Sequence, residues 1–185
     1  ELTKMRYVSA GPEKHHGEGD VWTHTMMVVD EMNKIANGDT AKLLMALAHD
    51  IGKLETRNER NTGGHDQLGV DLAEELADKW KLSNRYQEKM ADASEEHMRI
   101  FNVHPEADNT MKQSKVIRLV ERLDHATGAT QEELLDLACA DNRGREADIT
   151  MDETMLEGIS QRLDMAREAI ETVDASYVAD ERDKE

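Results

Sequence analysis

Apolar residues recur every three or four positions along most of this 185-residue chain. That spacing places them on one face of an α-helix, which makes a turn about every 3.6 residues. The pattern is clearest between about 152 and 175, at Leu156, Ile159, Leu163, Ala166, Ile170 and Val173. Only two prolines interrupt the chain, and aromatic residues, which favour strands, make up 3% of it. The sequence therefore predicts an all-α fold.

Signals that start and stop helices divide the chain into about seven predicted helices. Thr130 and Glu133 have the spacing of a capping box, and Gly38 follows the last apolar position of the first helix as a stop signal. The predicted helices lie at 21–37, from a cap at Asp39 to an end at 49–52, at 65–81, after Ser83, at 110–127, after Thr130 and at 152–175. The glycine-containing segment 9–20 predicts an ordered loop, and the polar segment 53–64 predicts a mobile surface loop.

No linker or internal repeat divides the chain, whose length is usual for one domain. We therefore expect a single domain over residues 1–185, with its core at about 12–175 and a frayed tail at 176–185. The run LLMALA at 43–48 is apolar on every side of its helix. Such a run predicts a helix buried at the centre of the fold.

The charge of the chain limits its partners. Lys and Arg number 23 against 40 Asp and Glu, which gives a net charge of −17. Such a surface repels phosphate backbones and anionic lipids, so we expect neither a nucleic-acid nor a membrane partner. No apolar run approaches the roughly 20 residues of a membrane span, and we expect a soluble cytoplasmic protein. The single Cys139 excludes a disulfide framework, and the oligomeric state stays open.

Polar residues on otherwise apolar faces are the informative ones. His24 lies inside the first predicted helix, His49 and Asp50 directly follow the apolar run, and Asp141 continues the buried stripe of the sixth helix. A buried charge costs several kcal/mol unless it is paired or bound to a metal. One divalent cation would satisfy all four side chains if those faces met. Hydrogen-bonded core histidines and salt-bridged aspartates explain the residues equally well, so both readings stay open.

The order of these residues resembles that of the HD-domain metal-dependent phosphohydrolases, all-helical enzymes named for an adjacent His-Asp pair. HDIGK at 49–53 matches the common HD-x-G-K form of the family. The segments 16–25, 47–53, 64–80 and 139–145 further resemble the HD domain of bacterial tRNA nucleotidyltransferases, the CCA-adding enzymes. The nucleotidyltransferase segments of those enzymes do not occur in these 185 residues, so we expect no CCA addition by them.

The resemblance implies a set of metal ligands. It assigns His24, His49, Asp50 and Asp141 to one ion, and it places His65 and His97 where binuclear members of the family hold a second, with Asp50 as the bridge. His65 as a helix cap and His97 as an ordinary helix-face residue are the alternatives, so one or two ions are expected. Nitrogen and oxygen donors without thiolate suit Ni, Co, Mn, Fe or Zn.

The resemblance also implies an activity, namely that of a phosphatase and 2′,3′-cyclic nucleotide phosphodiesterase that also cleaves 2′-nucleotides. The substrate is then a small nucleotide or other phosphate ester, attacked by metal-activated water. Asp50 is the candidate to orient or deprotonate that water, and Lys53 is the candidate to reach a phosphate oxygen. Further candidate substrate contacts are Arg57, Arg143, Arg145, His16 and Glu18. A structural ion pair is the alternative role of each cation.

Two other functions compete with this interpretation. The first is a different HD nucleotide hydrolase, such as a 5′-nucleotidase, a dinucleoside-polyphosphate hydrolase or a dNTP hydrolase. The second is a non-catalytic module in which a metal only joins helices or a degenerate site senses a nucleotide. The complete set of four ligands argues against degeneration, whereas pocket size and phosphate contacts, which decide among the hydrolases, are not visible in one sequence.

Overall fold

The computed structural model describes residues 2–55, 64–105, 107, 110–125, 128–146 and 153–182. Within these residues, seven α-helices follow one another: α1 Val21–Ala36, α2 Thr40–Ala48, α3 His65–Lys79, α4 Asn84–Phe101, α5 Gln113–His125, α6 Gln131–Arg143 and α7 Glu153–Arg182. The same part of the chain has two 3₁₀-helices, Leu2–Tyr7 and Ile51–Leu54. The described residues contain no β-strand, only an isolated bridge between Ser9 and Asp20. The predicted all-α fold is confirmed.

Capping residues set the helix ends where the sequence indicates them. The Asp20 carboxylate accepts a hydrogen bond from the Thr23 backbone N–H at 3.0 Å and begins α1. Thr130 and Glu133 form the predicted capping box at the start of α6, each side chain accepting from the other residue's backbone N–H. Such local hydrogen bonds satisfy the N–H groups that a helix start leaves free.

Three predicted boundaries differ from the structure. Helix α5 starts at Gln113 rather than at 110, because the Met111 N–H bonds the Asn102 carbonyl and holds the chain in a turn. Helix α7 continues to Arg182, beyond its predicted end near 175. Lys53, expected in a mobile surface loop, is a buried residue of the second 3₁₀-helix. Residues 56–63 of that predicted loop lie outside the described residues.

Helix α2 occupies the centre of the fold, as its apolar run predicts. It packs against α1, α4 and α6, while α3 packs against α4 and α5 packs against α7. The main core joins buried side chains from every described α-helix except α3, and methionines such as Met32 and Met45 are completely buried in it. None of the described helices has the length and hydropathy that a bilayer crossing requires. The position of α2 carries His49 and Asp50 into the interior.

Two glycines let the start of α3 come close to the residues after α2. A Cβ atom on Gly52 would lie 1.8 Å from the His65 carbonyl oxygen, and one on Gly69 would lie 1.9 Å from Ser94 Oγ. Any larger residue would therefore push α3 away from the second 3₁₀-helix and from α4. This close approach brings His65, the first residue of α3, next to Asp50.

Candidate metal centre

The four side chains assigned to one ion meet at a single point. His24 comes from α1, His49 and Asp50 from the end of α2, and Asp141 from the last turn of α6; each is at most 2% exposed. His24 Nε2 lies 3.1 Å from Asp141 Oδ1 and 3.4 Å from His49 Nε2. Ligands of one ion at about 2.1 Å are themselves about 3 to 3.5 Å apart. The donor spacing therefore fits a metal ion.

Asp50 presents its two oxygens to two sets of histidines. Its Oδ2 lies 3.4 Å from His49 Nε2 and 3.6 Å from His24 Nε2. Its Oδ1 lies 3.5 Å from both His65 Nε2 and His97 Nε2, which are 3.3 Å apart. All six ligands predicted from the sequence are thus brought together. We call His24, His49, Asp141 and Asp50 Oδ2 the first ligand group, and His65, His97 and Asp50 Oδ1 the second ligand group.

Hydrogen bonds turn the histidines so that Nε2 faces the cluster. His49 Nδ1 donates to the Ala46 carbonyl at 2.7 Å, and His97 Nδ1 donates to the Ser94 carbonyl at 2.9 Å. His24 Nδ1 lies 2.9 Å from Glu18 Oε1 and 3.2 Å from the Gly144 carbonyl. A proton fixed on Nδ1 leaves the Nε2 lone pair available for a metal. These partners prepare three imidazoles for coordination.

Glu18 connects two histidines on the side of the cluster away from Asp50. Its Oε1 lies 2.8 Å from His16 Nδ1 and 2.9 Å from His24 Nδ1. Burial alone would raise the pKa of Glu18, but the hydrogen bonds to His24 and His16 lower it to about 2. Burial would likewise lower the pKa of His24, but Asp141 and Glu18 raise it to about 9. Anionic oxygens therefore attract positive charge to this point.

Both aspartates of the cluster are held in the ionised form. Burial opposes ionisation, but Lys53 and His49 keep the pKa of Asp50 well below its usual range. Arg145 and His24 do the same for Asp141. Lys53 Nζ donates to Asp50 Oδ2 at 2.6 Å, and Arg145 Nη2 donates to Asp141 Oδ2 at 2.6 Å. Ionised carboxylates are the form that binds a divalent cation.

A cavity of about 370 Å³ opens onto both ligand groups. Besides five of the ligands, its walls carry residues for which no chemical role was predicted: Ala10, Gly11, Pro12, His15, Met98, Phe101 and Asn102. The Arg145 guanidinium lies 5.2 Å from the centre of the Phe101 ring. The sequence spacing could have identified Phe101 as a cavity residue, because it lies four residues after His97 and so on the same side of α4. The volume is at the lower end of the range for small-molecule sites, about 300–1,000 Å³.

The predicted substrate contacts divide into three sets. Lys53, Arg145 and His16 line the cavity, whereas Glu18 is not among the lining residues and supports His24 from behind. Arg143 is exposed and is also not among the lining residues. Two residues rotate a helix by about 200°, so Arg143 lies on the side of α6 opposite Asp141. Arg145 follows the end of α6 and bonds Asp141 at 2.6 Å. Arg57 lies outside the described residues.

Residues 21–144 match the HD domain, a range that contains all six predicted ligands. The chain belongs to the HD-domain family. His49 and Asp50 are the pair after which the metal-dependent phosphohydrolases of this family are named, and the His/Asp cluster is the place where this HD domain could hold divalent metal.

Curated relatives of this HD domain are named multifunctional CCA protein. The protein of Cupriavidus metallidurans is 31% identical over 182 residues, which are 97% of this chain and 41% of that protein. The protein of Haemophilus influenzae is 30% identical over 166 residues, 85% of this chain and 38% of that protein. The chain thus spans about two fifths of the length of these relatives. No solved structure matches it significantly.

Proposed function

We propose that this HD domain is a metal-dependent phosphohydrolase of small nucleotides, and that it opens 2′,3′-cyclic nucleotides and dephosphorylates 2′-nucleotides. The observation that carries the proposal is the Asp50 carboxylate, shared between two ligand groups at the floor of a cavity of about 370 Å³. Lys53 and Arg145 add two cations to the same cavity. The likeness to multifunctional CCA proteins supports a nucleotide, rather than another phosphate ester, as the substrate. We further propose a cytoplasmic location.

A divalent transition ion would supply a water of lowered pKa and neutralise charge on the phosphoryl oxygens. His24, His49, Asp141 and Asp50 Oδ2 would hold it. The second ligand group has one carboxylate oxygen and two imidazoles for a second ion. The absence of thiolate from both groups supports Ni, Co, Mn, Fe or Zn, with which imidazole and carboxylate combine.

Charged side chains around the cavity would position the substrate. The Nε and Nη2 atoms of Arg145 bond Asp141, and no described residue accepts a hydrogen bond from its Nη1. That nitrogen has donors for a phosphate oxygen, which guanidinium groups bind well. Lys53 is anchored by Asp50 and by the Ala10 carbonyl at 2.7 Å, so its charge is fixed beside the cluster. Phe101 and Met98 offer an apolar wall for a base.

In this proposal Asp50 would orient the attacking water, because its carboxylate is ionised, buried and shared by both ligand groups. A carboxylate of lowered pKa is a weak base, so loss of the water's proton would depend mainly on the metal. His16 lies at the cavity wall with Nδ1 bonded to Glu18. We assign His16 to the binding of the substrate, with Glu18 setting its orientation.

The test is hydrolysis of 2′,3′-cyclic AMP by metal-stripped protein that is resupplied with nickel, cobalt, manganese or magnesium. The Asp50→Ala variant is compared with Asp30→Ala, which removes an exposed carboxylate from α1. We expect metal-dependent turnover in the wild type and in Asp30→Ala, and none in Asp50→Ala. If the protein hydrolyses 5′-AMP, a dinucleoside polyphosphate or a dNTP but not 2′,3′-cyclic AMP, the proposed substrate class is wrong. Bound metal without turnover of any of these substrates would overturn the assignment as an enzyme.

A further inference from the structure

A second cavity lies on the surface between α4 and α5, away from the metal cluster. Its volume is about 410 Å³, and it is lined by Arg99, Lys115, Arg118 and Arg122 with Met111 and Leu119. Four cations therefore share one groove in a protein whose net charge is −17. We call it the basic groove. The average composition of the chain conceals this local concentration of positive charge.

Helix geometry produces the groove. Lys115, Arg118, Leu119 and Arg122 recur at three- and four-residue spacing and so share one side of α5. From Lys115 to Arg122 they extend along about 10 Å of the helix axis. Asp124, an acidic residue of the same helix, instead bonds Arg167 of α7. The side of α5 that faces the groove is therefore cationic.

Two carboxylates neutralise part of this charge at one end of the groove. Arg99 and Arg122 both bond Glu95 and Glu96, and Glu96 is 2% exposed. These bonds hold both guanidinium groups in place. The carboxylates of Asp66 and Asp92 also act on Arg99 and Arg122 respectively, so the positive charge open to a ligand is that of Lys115 and Arg118.

The remaining cations of the groove are available to a ligand. Lys115 and Arg118 are exposed, and their side chains bond no described residue. Acidic groups farther than the Debye length, about 8 Å at physiological ionic strength, are screened from the groove. The net negative charge of the whole protein therefore does not prevent an anion from binding there.

We propose that the basic groove binds phosphate esters, supplied by a nucleotide or by a single strand of RNA. Guanidinium groups bind phosphate oxygens in pairs of parallel hydrogen bonds, and Arg118 is free to make them. Met111 and Leu119 provide an apolar floor against which a base or sugar can pack. Helix α4 separates this groove from the metal cavity, since Met98 lines the cavity and Arg99 lines the groove.

The proposal is independent of the hydrolytic function. It also departs from the expectation, drawn from net charge alone, that nucleic acid does not bind. Its test uses the Lys115→Gln/Arg118→Gln double variant. The matched control is Lys34→Gln/Lys79→Gln, which removes the same charge from exposed positions on α1 and α3. Gln preserves helix propensity at all four positions, so the folds should be equally stable.

The probe is a dye-labelled single-stranded 2′-O-methyl RNA of about 12 nucleotides, which carries no 2′,3′-cyclic phosphate or 2′-phosphate for the metal centre to hydrolyse. Fluorescence anisotropy would follow its binding between about 50 and 200 mM salt. We expect the Lys115→Gln/Arg118→Gln variant to bind about tenfold more weakly than the wild type and the control. The slope of log K against log salt should become shallower by about 1.4, for two lost phosphate contacts.

Inorganic pyrophosphate and ADP, measured by calorimetry, distinguish the source of the phosphate. One outcome is that the wild type binds these anions but not RNA, and that the groove variant does not bind the anions. The ligand of the groove is then a small phosphate. If RNA and anions bind the groove variant as tightly as the wild type, or if neither binds the wild type, the proposal is overturned. Hydrolysis of 2′,3′-cyclic AMP should be equal in the wild type, groove variant and control, which keeps this test separate from that of the metal cluster.

Discussion

The two ligand groups share Asp50 but differ in how their other members are supported. In the first ligand group, His24 is held by Glu18, His49 by the Ala46 carbonyl and Asp141 by Arg145. These residues lie on α1, at the end of α2 and on α6, three helices of the main core.

The second ligand group is only partly attached to the main core. His97 is held by the Ser94 carbonyl and lies on α4, a helix of that core. His65 is the first residue of α3, whose buried side chains pack in a separate, smaller cluster. Its position relies on the close approach of Gly52 and Gly69 to their neighbours. Preorganised ligands bind metal more tightly because less ordering accompanies binding. From this comparison we expect that a first ion would be held more tightly than a second.

The largest effect should follow from Asp50→Asn, because this carboxylate belongs to both groups. The amide keeps the shape of the side chain but removes the charge that both ions need. We expect the loss of both ions and a fall in turnover of about a thousandfold or more. Metal content by mass spectrometry and the hydrolysis rate are the measurements. Full metal content with full turnover would contradict the bridging role.

Asp141→Asn should separate the two groups. It removes a charged ligand from the first ligand group alone and leaves Arg145 without its ionic partner. We expect the tightly bound ion to be lost, the weaker one to remain, and turnover to fall by about a hundredfold. A metal titration followed by calorimetry reports the change. The loss of both classes of ion would show that the groups form one cooperative site.

His65→Ala is the corresponding change in the second ligand group. Since His65 begins a helix outside the main core, its removal should leave the first ligand group intact. We expect the weaker binding class to disappear, with turnover reduced by about tenfold to fiftyfold. A thermal unfolding curve serves as the control and should not change appreciably in the absence of metal. An unchanged number of ions would contradict the two-ion arrangement.

The smallest effect should follow from Glu18→Gln, because Glu18 lies outside both ligand groups and bonds His24, His16 and the Glu146 N–H. The amide keeps a hydrogen-bond acceptor but loses the charge that steadies His24. We expect about tenfold weaker binding of the first ion, at the lower end of the effect of such supporting residues, and no change in the second. Glu13→Gln, an exposed carboxylate on the same loop, is the matched control. If the affinity for both ions fell equally, a role of Glu18 confined to the first ligand group would be disproved.

The sequence by itself determined the seven helices and the identity of the six candidate ligands. Helix periodicity and capping act between residues a few positions apart, so Gly38 and the Thr130–Glu133 box mark helix ends without reference to the rest of the chain. The ligands followed from a resemblance in ordered motifs rather than from spacing, which alone left a structural role equally open.

Only the tertiary structure decided how these residues are used. It assigned one oxygen of Asp50 to each ligand group, buried Lys53, and brought Arg145 rather than Arg143 to the cavity. It also gathered cations of α4 and α5 into the basic groove of an acidic protein. The physical reason is that a side chain's partner on another helix depends on the packing of whole helices. Periodicity along one helix states which side is buried, but not which atoms it will meet.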